Sequence, residues 1–400
     1  MIHMNPNIGK ISISAASAMT AKARDLAERG IKVVSLSTGE PDFDTPEHIV
    51  DAAVRAARSG DTHYPPLDGT RALKEAIRRK FARENHLDYA LNEIMVGNGA
   101  KQLIFNALMA TLAPGDEVIV PVPCYASYAD MTRSVGGNPV MLSCSQNNGF
   151  RLRPEDLEAA ITSKTRWLIL NMPNNPTGTV YSRAELQAIG DVVQRHPDLW
   201  VMTDDIYEHL MYSDVPFCTI AEAVPALRDR VLTINGCSKG YAMTGWRVGY
   251  CGGVKPLIDL MLKVQGQVSS GICTISQAAG VAALDGPQDI VNEWREIYRQ
   301  RRDLVVTMLA EIPELSCHRP DGAFYAFPSI AGCLGKTSAG GRKLRSDIDV
   351  SLALLAEQYV STVHGSAFGM AGYIRLSYAT DMESLKTACE RIQVFCAGLH

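Results

Sequence analysis

The stretch that decides the fold of this chain reads Ile234-Asn-Gly-Cys-Ser-Lys239-Gly-Tyr-Ala-Met-Thr-Gly-Trp-Arg247-Val-Gly249. Lys239 follows residues 231–234, an apolar run with the composition of a buried strand. Desolvation at the end of such a strand lowers the pKa of an amine, which lets it attack a carbonyl carbon. Arg247 comes a short loop later and offers a planar set of donors suited to phosphate. The stretch therefore predicts a site for a ligand that carries both an aldehyde and a phosphate group.

Outward from this stretch, helix-like and strand-like segments alternate. Helices are predicted at residues 100–113 and 183–195, where apolar side chains recur at helical spacing. Short apolar strands are predicted at residues 117–120, 166–170, 200–203, 231–234 and 248–251. This alternation predicts an α/β fold, with a large domain whose mostly parallel sheet is flanked by helices.

The two ends of the chain differ from this middle part. After residue 290 the pattern predicts a long charged helix at 294–312, a strand at 322–328, a polar loop at 332–347, a helix at 349–359 and a strand at 373–378. We therefore expect a smaller α+β domain formed from both chain ends. The predicted divisions are 1–48 for the N-terminal segment and part of the small domain, 49–289 for the large domain, and 290–400 for the C-terminal small domain.

Composition and charge exclude several classes of protein. The 400 residues are 46% hydrophobic and 20% charged, which is ordinary for a globular chain. A formal net charge of −4 gives no reason to expect nucleic acid as a partner. Apolar runs are too short to span a membrane, and the N-terminus lacks the order of a secretory signal. We therefore expect a cytoplasmic protein with neither a nucleic-acid nor a membrane partner.

The ten cysteines form no Cys-x-x-Cys pair and accompany no histidine cluster at zinc spacing. Reduced thiols in a cytosolic enzyme explain this pattern better than disulfides, and we predict no metal site. Cys124 and Cys237 flank candidate site residues, and we interpret both as small apolar fillers.

Three polar residues follow predicted strands and are expected to meet. Asn175, Asp204 and Lys239 each come just after an apolar run, and ligands of open α/β sheets bind at the carboxyl ends of the strands. A carboxylate at 204 can keep a pyridine nitrogen protonated, while Asn175 and Tyr207 can donate to a phenolate oxygen. A phosphate would rest at the start of the helix that begins near residue 100, on Gly99, Ala100 and Lys101. The ligand that these residue types predict is pyridoxal 5'-phosphate.

Each residue also has an ordinary structural explanation. A lysine after a strand is usually solvated, Asp204 is a plausible helix N-cap, and Asn175 stands in the turn sequence Pro-Asn-Asn-Pro-Thr-Gly. Arg375, in a predicted strand, could form a surface ion pair. The occurrence of all of them together, in this order, favours the cofactor site.

The chain resembles the class I/II aminotransferases of the pyridoxal-phosphate fold-type I superfamily. The resemblance extends from Ser35-Leu-Ser-Thr-Gly-Glu-Pro-Asp-Phe-Asp44 to Ile374-Arg-Leu-Ser-Tyr378, and the lysine segment from Gly236 to Gly249 carries it most specifically. It implies that Lys239 joins the cofactor covalently and, once freed by substrate, moves the proton of the substrate Cα. It also implies that Asp204 pairs with the pyridine nitrogen, while Tyr207 and Asn175 hold the phenolate oxygen.

The resemblance also implies how the remaining groups are used. Tyr125 would stack on the cofactor ring, and the phosphate would be bound by Ser238, Arg247 and the turn of Gly99, Ala100 and Lys101. Tyr64 would reach the phosphate of the neighbouring subunit, so a homodimer is expected. Arg375 would hold the substrate α-carboxylate in a bidentate fashion, with help from Asn175 and the backbone at Gly39.

The expected reaction is transamination between an L-amino acid and 2-oxoglutarate in ping-pong order. Lys101 and Ser14 resemble positions that the bacterial aspartate branch uses for a distal carboxylate, although Lys101 could equally be a phosphate contact. Tyr125 stands where that branch has tryptophan, His364 where it usually has proline, and the segment beginning at Gln265 also differs. We expect aspartate as the substrate, with aromatic amino acids as further candidates. An aminotransferase of aromatic, alanine, methionine or branched-chain specificity is an alternative.

Two other functions are weighed against transamination. A β-eliminating lyase or cyclopropane-forming synthase of the same fold would share these residues, because the bond broken at Cα depends on the orientation of the substrate. A non-enzymatic ligand sensor with this fold would carry an additional DNA-binding domain. The enzyme-like segments begin by about Ser35 and the chain is not basic, so we expect an enzyme.

Overall fold

The computed structural model describes residues 4–213 and 215–400. The helices in chain order are α1 (Ala15–Glu28), α2 (Glu47–Arg58), α3 (Arg71–Asn85), α4 (Ala100–Thr111), α5 (Ser127–Ser134), α6 (Pro154–Ala160), α7 (Arg183–Arg195), α8 (Ile220–Ala223), α9 (Lys255–Val268), α10 (Thr274–Asp285), α11 (Asp289–Ala310), α12 (Asp347–Gln358) and α13 (Met382–Ala397). The strands are β1 (Val34–Ser35), β2 (Ile94–Asn98), β3 (Glu117–Val122), β4 (Asn138–Ser143), β5 (Thr165–Asn171), β6 (Trp200–Asp204), β7 (Val231–Gly236), β8 (Val248–Gly252), β9 (Tyr325–Ala326), β10 (Val360–Ser361), β11 (Val363–His364) and β12 (Ile374–Ser377).

The large sheet has the strand order β2-β8-β7-β6-β5-β3-β4. Neighbouring strands from β7 through to β4 run parallel, whereas β8 is antiparallel to both β7 and β2. The reversal at β8 follows from chain length, because residues 237–247 are too few to form a helical crossover back to the start of a parallel strand. The predicted mostly parallel sheet is therefore confirmed, and its one tight connection is the segment that holds Lys239.

Side chains of the sheet alternate between two hydrophobic cores, one on each face. On β5, Leu168 and Leu170 belong to one core while Trp167 and Ile169 belong to the other. All four side chains are almost fully buried. A strand that is apolar on both faces needs helices on both sides of the sheet, as the sequence predicted.

The helix α7 shows how local sequence sets the element boundaries. Ser182 accepts a hydrogen bond from the backbone N–H of Glu185, and the Glu185 carboxylate accepts one from the backbone of Ser182, which forms a capping box. Leu186, Ile189 and Val193 then recur on one buried face. Among the helices of residues 4–213 and 215–400, none has both the length and the apolar composition needed to cross a bilayer.

Both chain ends contribute to a second packed region. β1 pairs in parallel with β10, with Val34 opposite Val360, and a separate sheet has the order β11-β12-β9. A third core lies here and includes Phe324, Leu354 and Leu376. The predicted small α+β unit is confirmed, although the strand predicted at 322–328 is reduced to β9 and the helix predicted from 294 begins at Asp289. The domain boundaries at residues 48 and 289 stay predictions.

Candidate active site

The carboxyl ends of β5, β6 and β7 lie side by side and open into a cavity of about 280 Å³. Asn171 is opposite Asp204, so β5 and β6 end at the same level, and Asp204 is opposite Ile234, two residues before the end of β7. Most of the residues predicted for the site line this cavity: Ser14, Gly39, Ala100, Lys101, Tyr125, Asn175, Asp204, Tyr207, Ser238, Lys239, Arg247 and Arg375. The structure thus brings together residues from nearly the whole length of the chain.

Lys239 lies in the loop between β7 and β8, and its Nζ donates a hydrogen bond of 2.6 Å to the backbone oxygen of Gly39. Burial lowers the pKa of Lys239 from 10.5 to about 8, and the positive charges of Arg375 and Arg247 act in the same direction against the opposing charge of Glu40. An amine with this pKa is partly neutral near physiological pH, which both nucleophilic attack and proton abstraction require.

Asp204 ends β6, and its two carboxylate oxygens differ in their hydrogen bonds. Its Oδ2 accepts a hydrogen bond of 2.6 Å from the hydroxyl of Tyr128, while its Oδ1 is buried without a partner among the described residues. Burial raises the pKa of Asp204 to about 6, and the hydrogen bond from Tyr128 opposes that rise. A buried oxygen that lines a cavity and has no hydrogen-bond donor is suited to accept a hydrogen bond from a ligand.

Arg375, at the centre of β12, is 3% exposed and tightly held. Its guanidinium lies 4.5 Å from the ring centroid of Tyr325 and 5.0 Å from that of Phe368. One nitrogen donates to the side-chain oxygen of Asn175 at 3.1 Å and another to the backbone oxygen of Ser37 at 2.7 Å. Its Nε has no partner among the described residues, so this cation keeps capacity for a carboxylate.

The opposite end of the cavity is suited to a phosphate. Gly99 precedes α4 with φ of +78°, and the first N–H groups of this helix have no partner inside the helix itself. A Cβ atom at Gly99 would lie 2.2 Å from a guanidinium nitrogen of Arg247, so only glycine lets that side chain pack against the turn. Arg247 itself adopts φ of +58°, which is strained for a residue with a side chain. The hydroxyl of Ser238 lines the same region.

Tyr125, Lys101 and Ser14 lie on the outer side of the cavity. The Lys101 ammonium is 5.3 Å from the centroid of the Tyr125 ring, which in turn meets Tyr128 edge to face at 5.5 Å. Ser14 is the N-cap of α1, where its hydroxyl accepts from the backbone of Ser17. The α1 segment therefore borders the cavity through its first turn.

Two predicted residues do not line the cavity. Gly99 lies behind Ala100 and contributes through the backbone turn just described. Tyr64 is 96% exposed in a loop away from the cavity of its own chain. Its predicted contact with the phosphate of a second subunit stays a prediction.

Of the three departures from the aspartate branch, only Tyr125 lines the cavity. Gln265 is fully buried, and its side-chain amide donates to the backbone oxygens of Leu67 and Val96. His364 bonds the hydroxyl of Ser366 at 2.7 Å in the small sheet region. A change in substrate preference is therefore to be sought at position 125.

Four cavity residues with polar side chains were missed by the sequence analysis: Tyr128, Asn171, Thr244 and Tyr325. Asn171 is the last residue of β5, so the rule that identified Asp204 applied to it as well. Tyr128 lies in the first turn of α5, and Tyr125 precedes that helix. The two rings meet edge to face, a contact that the sequence analysis did not consider. Tyr325 lies in the predicted strand at 322–328, but nothing in the sequence indicated that this strand faces the cavity.

The two cysteines near the site are inert in this geometry. Cys124 and Cys237 are 2% and 0% exposed and belong to the hydrophobic cores on the two faces of the large sheet. Burial raises the pKa of each thiol to about 12. Neither is a thiolate near neutral pH.

Comparison with known proteins places this geometry in context. The family model for aminotransferase class I and II matches residues 31–392. An aspartate/prephenate aminotransferase from Cereibacter sphaeroides is 50% identical over the whole of both chains, and an aspartate aminotransferase from Rhizobium meliloti is 50% identical over 98% of this chain and 96% of the relative.

Solved structures agree with this match. The crystal structure of the aspartate aminotransferase from Rhizobium meliloti superposes with a TM-score of 0.97 at 48% identity, covering 100% of both chains. The aspartate aminotransferase from Thermus thermophilus with maleate gives a TM-score of 0.92 at 38% identity, covering 99% of this chain and 100% of the other.

Proposed function

The chain belongs to the aminotransferase class I and II family, and from this premise we propose that it uses pyridoxal 5'-phosphate to transfer the amino group of aspartate to 2-oxoglutarate. The observation that carries the proposal is the cavity at the ends of β5, β6 and β7. It combines an amine of lowered pKa, a carboxylate oxygen without a protein donor, and a partly unsatisfied arginine. A transaminase of amino acids needs these three groups together.

The residues present fit the proposed cofactor. The free Oδ1 of Asp204 suits a protonated pyridine nitrogen, and the turn at Gly99 with Arg247 and Ser238 suits a phosphate. Tyr207 and Asn175 would donate to the phenolate oxygen, and Tyr125 would cover one face of the ring. When bound, pyridoxal phosphate supplies an aldehyde that condenses with amines and a ring that accepts electrons from Cα.

Lys239 is proposed to hold the cofactor and to move the substrate proton. With a pKa near 8 it can take a proton from Cα as a neutral amine and return it as an ammonium. The backbone oxygen of Gly39 accepts a hydrogen bond from Nζ and fixes its position in the cavity. One residue therefore serves as base and then as acid.

Arg375 is proposed to hold the substrate α-carboxylate. The guanidinium packs against the rings of Tyr325 and Phe368, and its Nε has no partner among the described residues, so it keeps a donor for a planar acceptor. Arg375 donates a hydrogen bond to Asn175, which is itself proposed to bind the cofactor. The carboxylate site and the cofactor site are therefore in contact. Arg375 and Lys239 line the same cavity, so a substrate held by its carboxylate at Arg375 would be within the same site as the amine that is proposed to take the Cα proton.

The choice of aspartate rests on Lys101 and on the names of the relatives. Lys101 and Ser14 border the outer side of the cavity, where a second carboxylate of the substrate would lie. The Thermus thermophilus relative was solved with maleate, which is a dicarboxylate. Because Tyr125 is smaller than tryptophan, the pocket has more room for an aromatic side chain.

A second substrate follows from the same residues. The Cereibacter sphaeroides relative is named for both aspartate and prephenate. Prephenate is a 2-oxo acid with a second carboxylate on a ring, so Lys101 and the space beside Tyr125 suit it as an amino acceptor. We propose it as an alternative acceptor.

A homodimer is proposed as the working unit. Tyr64 is almost fully exposed, and Leu67 in the same loop is exposed as well. A second subunit that covers this loop would bring Tyr64 to the phosphate end of its cavity. Cytoplasmic location is proposed on the names of the bacterial relatives.

The test is a set of half-reactions with the cofactor-loaded protein and single amino acids. Aspartate should convert the cofactor to its amino form and release oxaloacetate, and 2-oxoglutarate or prephenate should reverse the spectral change. Release of ammonia and pyruvate would indicate a β-lyase instead. Absence of any spectral change with all common amino acids would refute the proposal.

A further inference from the structure

Tyr325 is a buried residue that touches several groups of the proposed site. Its side chain comes from β9 in the small sheet and is 1% exposed. Its hydroxyl lies 2.8 Å from the hydroxyl of Tyr207, which comes from the loop after β6 in the large sheet region. The contact therefore joins a strand of the small sheet to a loop that follows a strand of the large sheet, inside the cavity.

The position of the Tyr325 hydroxyl is closely determined. A Cβ atom built on Gly39 would lie 2.6 Å from it, so Gly39 is the residue that leaves room for the phenol. The rings of Tyr325 and Tyr207 meet edge to face at 5.8 Å. The two hydroxyls are thus held within hydrogen-bonding distance by packing on both sides.

The direction of this hydrogen bond decides what Tyr207 can do. A phenol has one proton, so Tyr207 can donate to a cofactor oxygen only if Tyr325 donates to Tyr207. Arg375 lies over the Tyr325 ring at 4.5 Å, and its positive charge strengthens donation by that phenol. The other titratable groups facing the pair are Asp204 and Lys239 beside Tyr207 and Tyr125 beside Tyr325.

We propose that Tyr325 is a positioning residue that donates its proton to Tyr207, so that the Tyr207 hydroxyl is directed at the phenolate oxygen of the bound cofactor. The inference rests on the proposed use of pyridoxal phosphate. In this arrangement Tyr325 donates to Tyr207 and Tyr207 donates to the cofactor. Arg375, the proposed carboxylate-binding residue, polarises the phenol of Tyr325 and so contacts the first donor of this series.

The test is a pH titration of the visible absorbance of the lysine-bound cofactor. A donor to the phenolate oxygen withdraws negative charge from it and lowers the midpoint of this titration. In Tyr325→Phe the ring and its packing remain but the donor is lost, so the midpoint should rise by about 0.5 to 1 pH unit, the size expected for one weak hydrogen bond. A second readout is the dissociation constant of pyridoxal phosphate, which should rise severalfold.

The matched control is Tyr378→Phe. Tyr378 is fully buried in the same core, outside the cavity, and its hydroxyl lies 3.4 Å from the backbone oxygen of Ala323. This variant should keep the midpoint of the parent protein. A rise equal to that of Tyr325→Phe would show a general loosening of the small sheet region and would overturn the proposal.

Action through Tyr207 is tested by a double variant. If Tyr325 acts through Tyr207, adding Tyr325→Phe to Tyr207→Phe should leave the midpoint where Tyr207→Phe alone puts it. A further rise of the same size in the double variant would contradict the proposal.

A third probe keeps the test decisive if Tyr325→Phe does not fold. Difluorotyrosine at position 325 is a more acidic phenol of nearly the same shape, so the midpoint should fall. An unchanged midpoint would contradict the proposal. A parent protein that shows no visible band after reconstitution would refute the proposed cofactor, which is a separate failure.

Discussion

Two lysines that lie inside the fold, Lys80 and Lys239, have contrasting surroundings. Lys80, on α3, is fully buried, and its ammonium forms an ion pair with Glu208 and donates to the side-chain oxygen of Asn85 at 2.7 Å. Lys239 has one hydrogen bond, to the backbone oxygen of Gly39, and no carboxylate pairs with it among the described residues. A buried charge with partners maintains structure, whereas one without them gives up its proton easily.

The polar groups around Lys80 also have hydrogen-bond partners. Glu208 accepts further hydrogen bonds from the side-chain amides of Asn85 and Asn235, at 2.8 Å and 2.7 Å. Glu208 also belongs, with Glu84 and His209, to a group whose ligand atoms lie within 4.8 Å of one another. The Lys80 ammonium already supplies the positive charge there. In the cavity, by contrast, Asp204 and Arg375 each have one buried polar atom without a partner among the described residues.

The largest expected effect is that of Lys239→Ala on activity. Because this variant removes both the covalent link and the proton carrier, transamination should fall by at least about 10⁴-fold, the upper end for a positioned acid or base. The measurement is the single-turnover rate with aspartate. As a control, the stability of the Lys239→Ala variant toward urea should be equal to or above that of the parent protein. A single-turnover rate within tenfold of the parent rate would contradict the assignment of Lys239.

The converse change is Lys80→Met. It leaves Glu208 buried without its cation, which should lower the free energy of unfolding by about 3–5 kcal/mol. Urea denaturation measures this loss, while the rate per folded molecule should be retained. The control is Lys80→Met with Glu208→Gln, in which both charges are gone and much of the stability should return. An equal loss in both variants would mean that the pair is not what stabilises this region.

Asp204→Asn tests whether the free carboxylate oxygen is used. The shape is kept but the negative charge opposite the ring nitrogen is lost, so the rate of proton removal should fall by about 10²- to 10³-fold. Binding of pyridoxal phosphate to Lys239 should persist. A normal rate in this variant would remove the proposed partner of the ring nitrogen.

The smallest effect is the pH dependence of stability in the cofactor-free protein. The pKa of Lys239 is about 8 when folded and 10.5 ordinarily, so the folded state binds fewer protons than the unfolded state between these values. Stability relative to Lys239→Met should therefore be lowest below about pH 8 and should recover as the pH rises toward 10.5. Urea denaturation of both proteins across this range measures the difference. A difference independent of pH would show that Lys239 titrates normally.

The sequence predicted most of the site because the ends of strands can be recognised from local sequence. Contacts between side chains that are distant in the chain cannot be recognised in this way. Lys239 and Asp204 follow apolar runs, and the rule that ligands bind at the carboxyl ends of strands placed them together. The direction of β8 was not predicted, since an apolar run has no polarity of its own. Tyr128 and Tyr325 were missed because their contacts join elements distant in the chain, and such contacts leave no local pattern. The contact proposed for Tyr64 involves a second subunit, so the fold of a single chain does not contain it.

Reductive trapping of the cofactor on lysine tests the central claim most directly. After reconstitution with pyridoxal phosphate, treatment with borohydride and proteolysis, mass spectrometry should find the added group on the peptide that contains Lys239. The peptide that contains Lys80 should be unmodified, although both lysines lie inside the folded chain. An adduct on a different lysine, or none at all, would contradict the account.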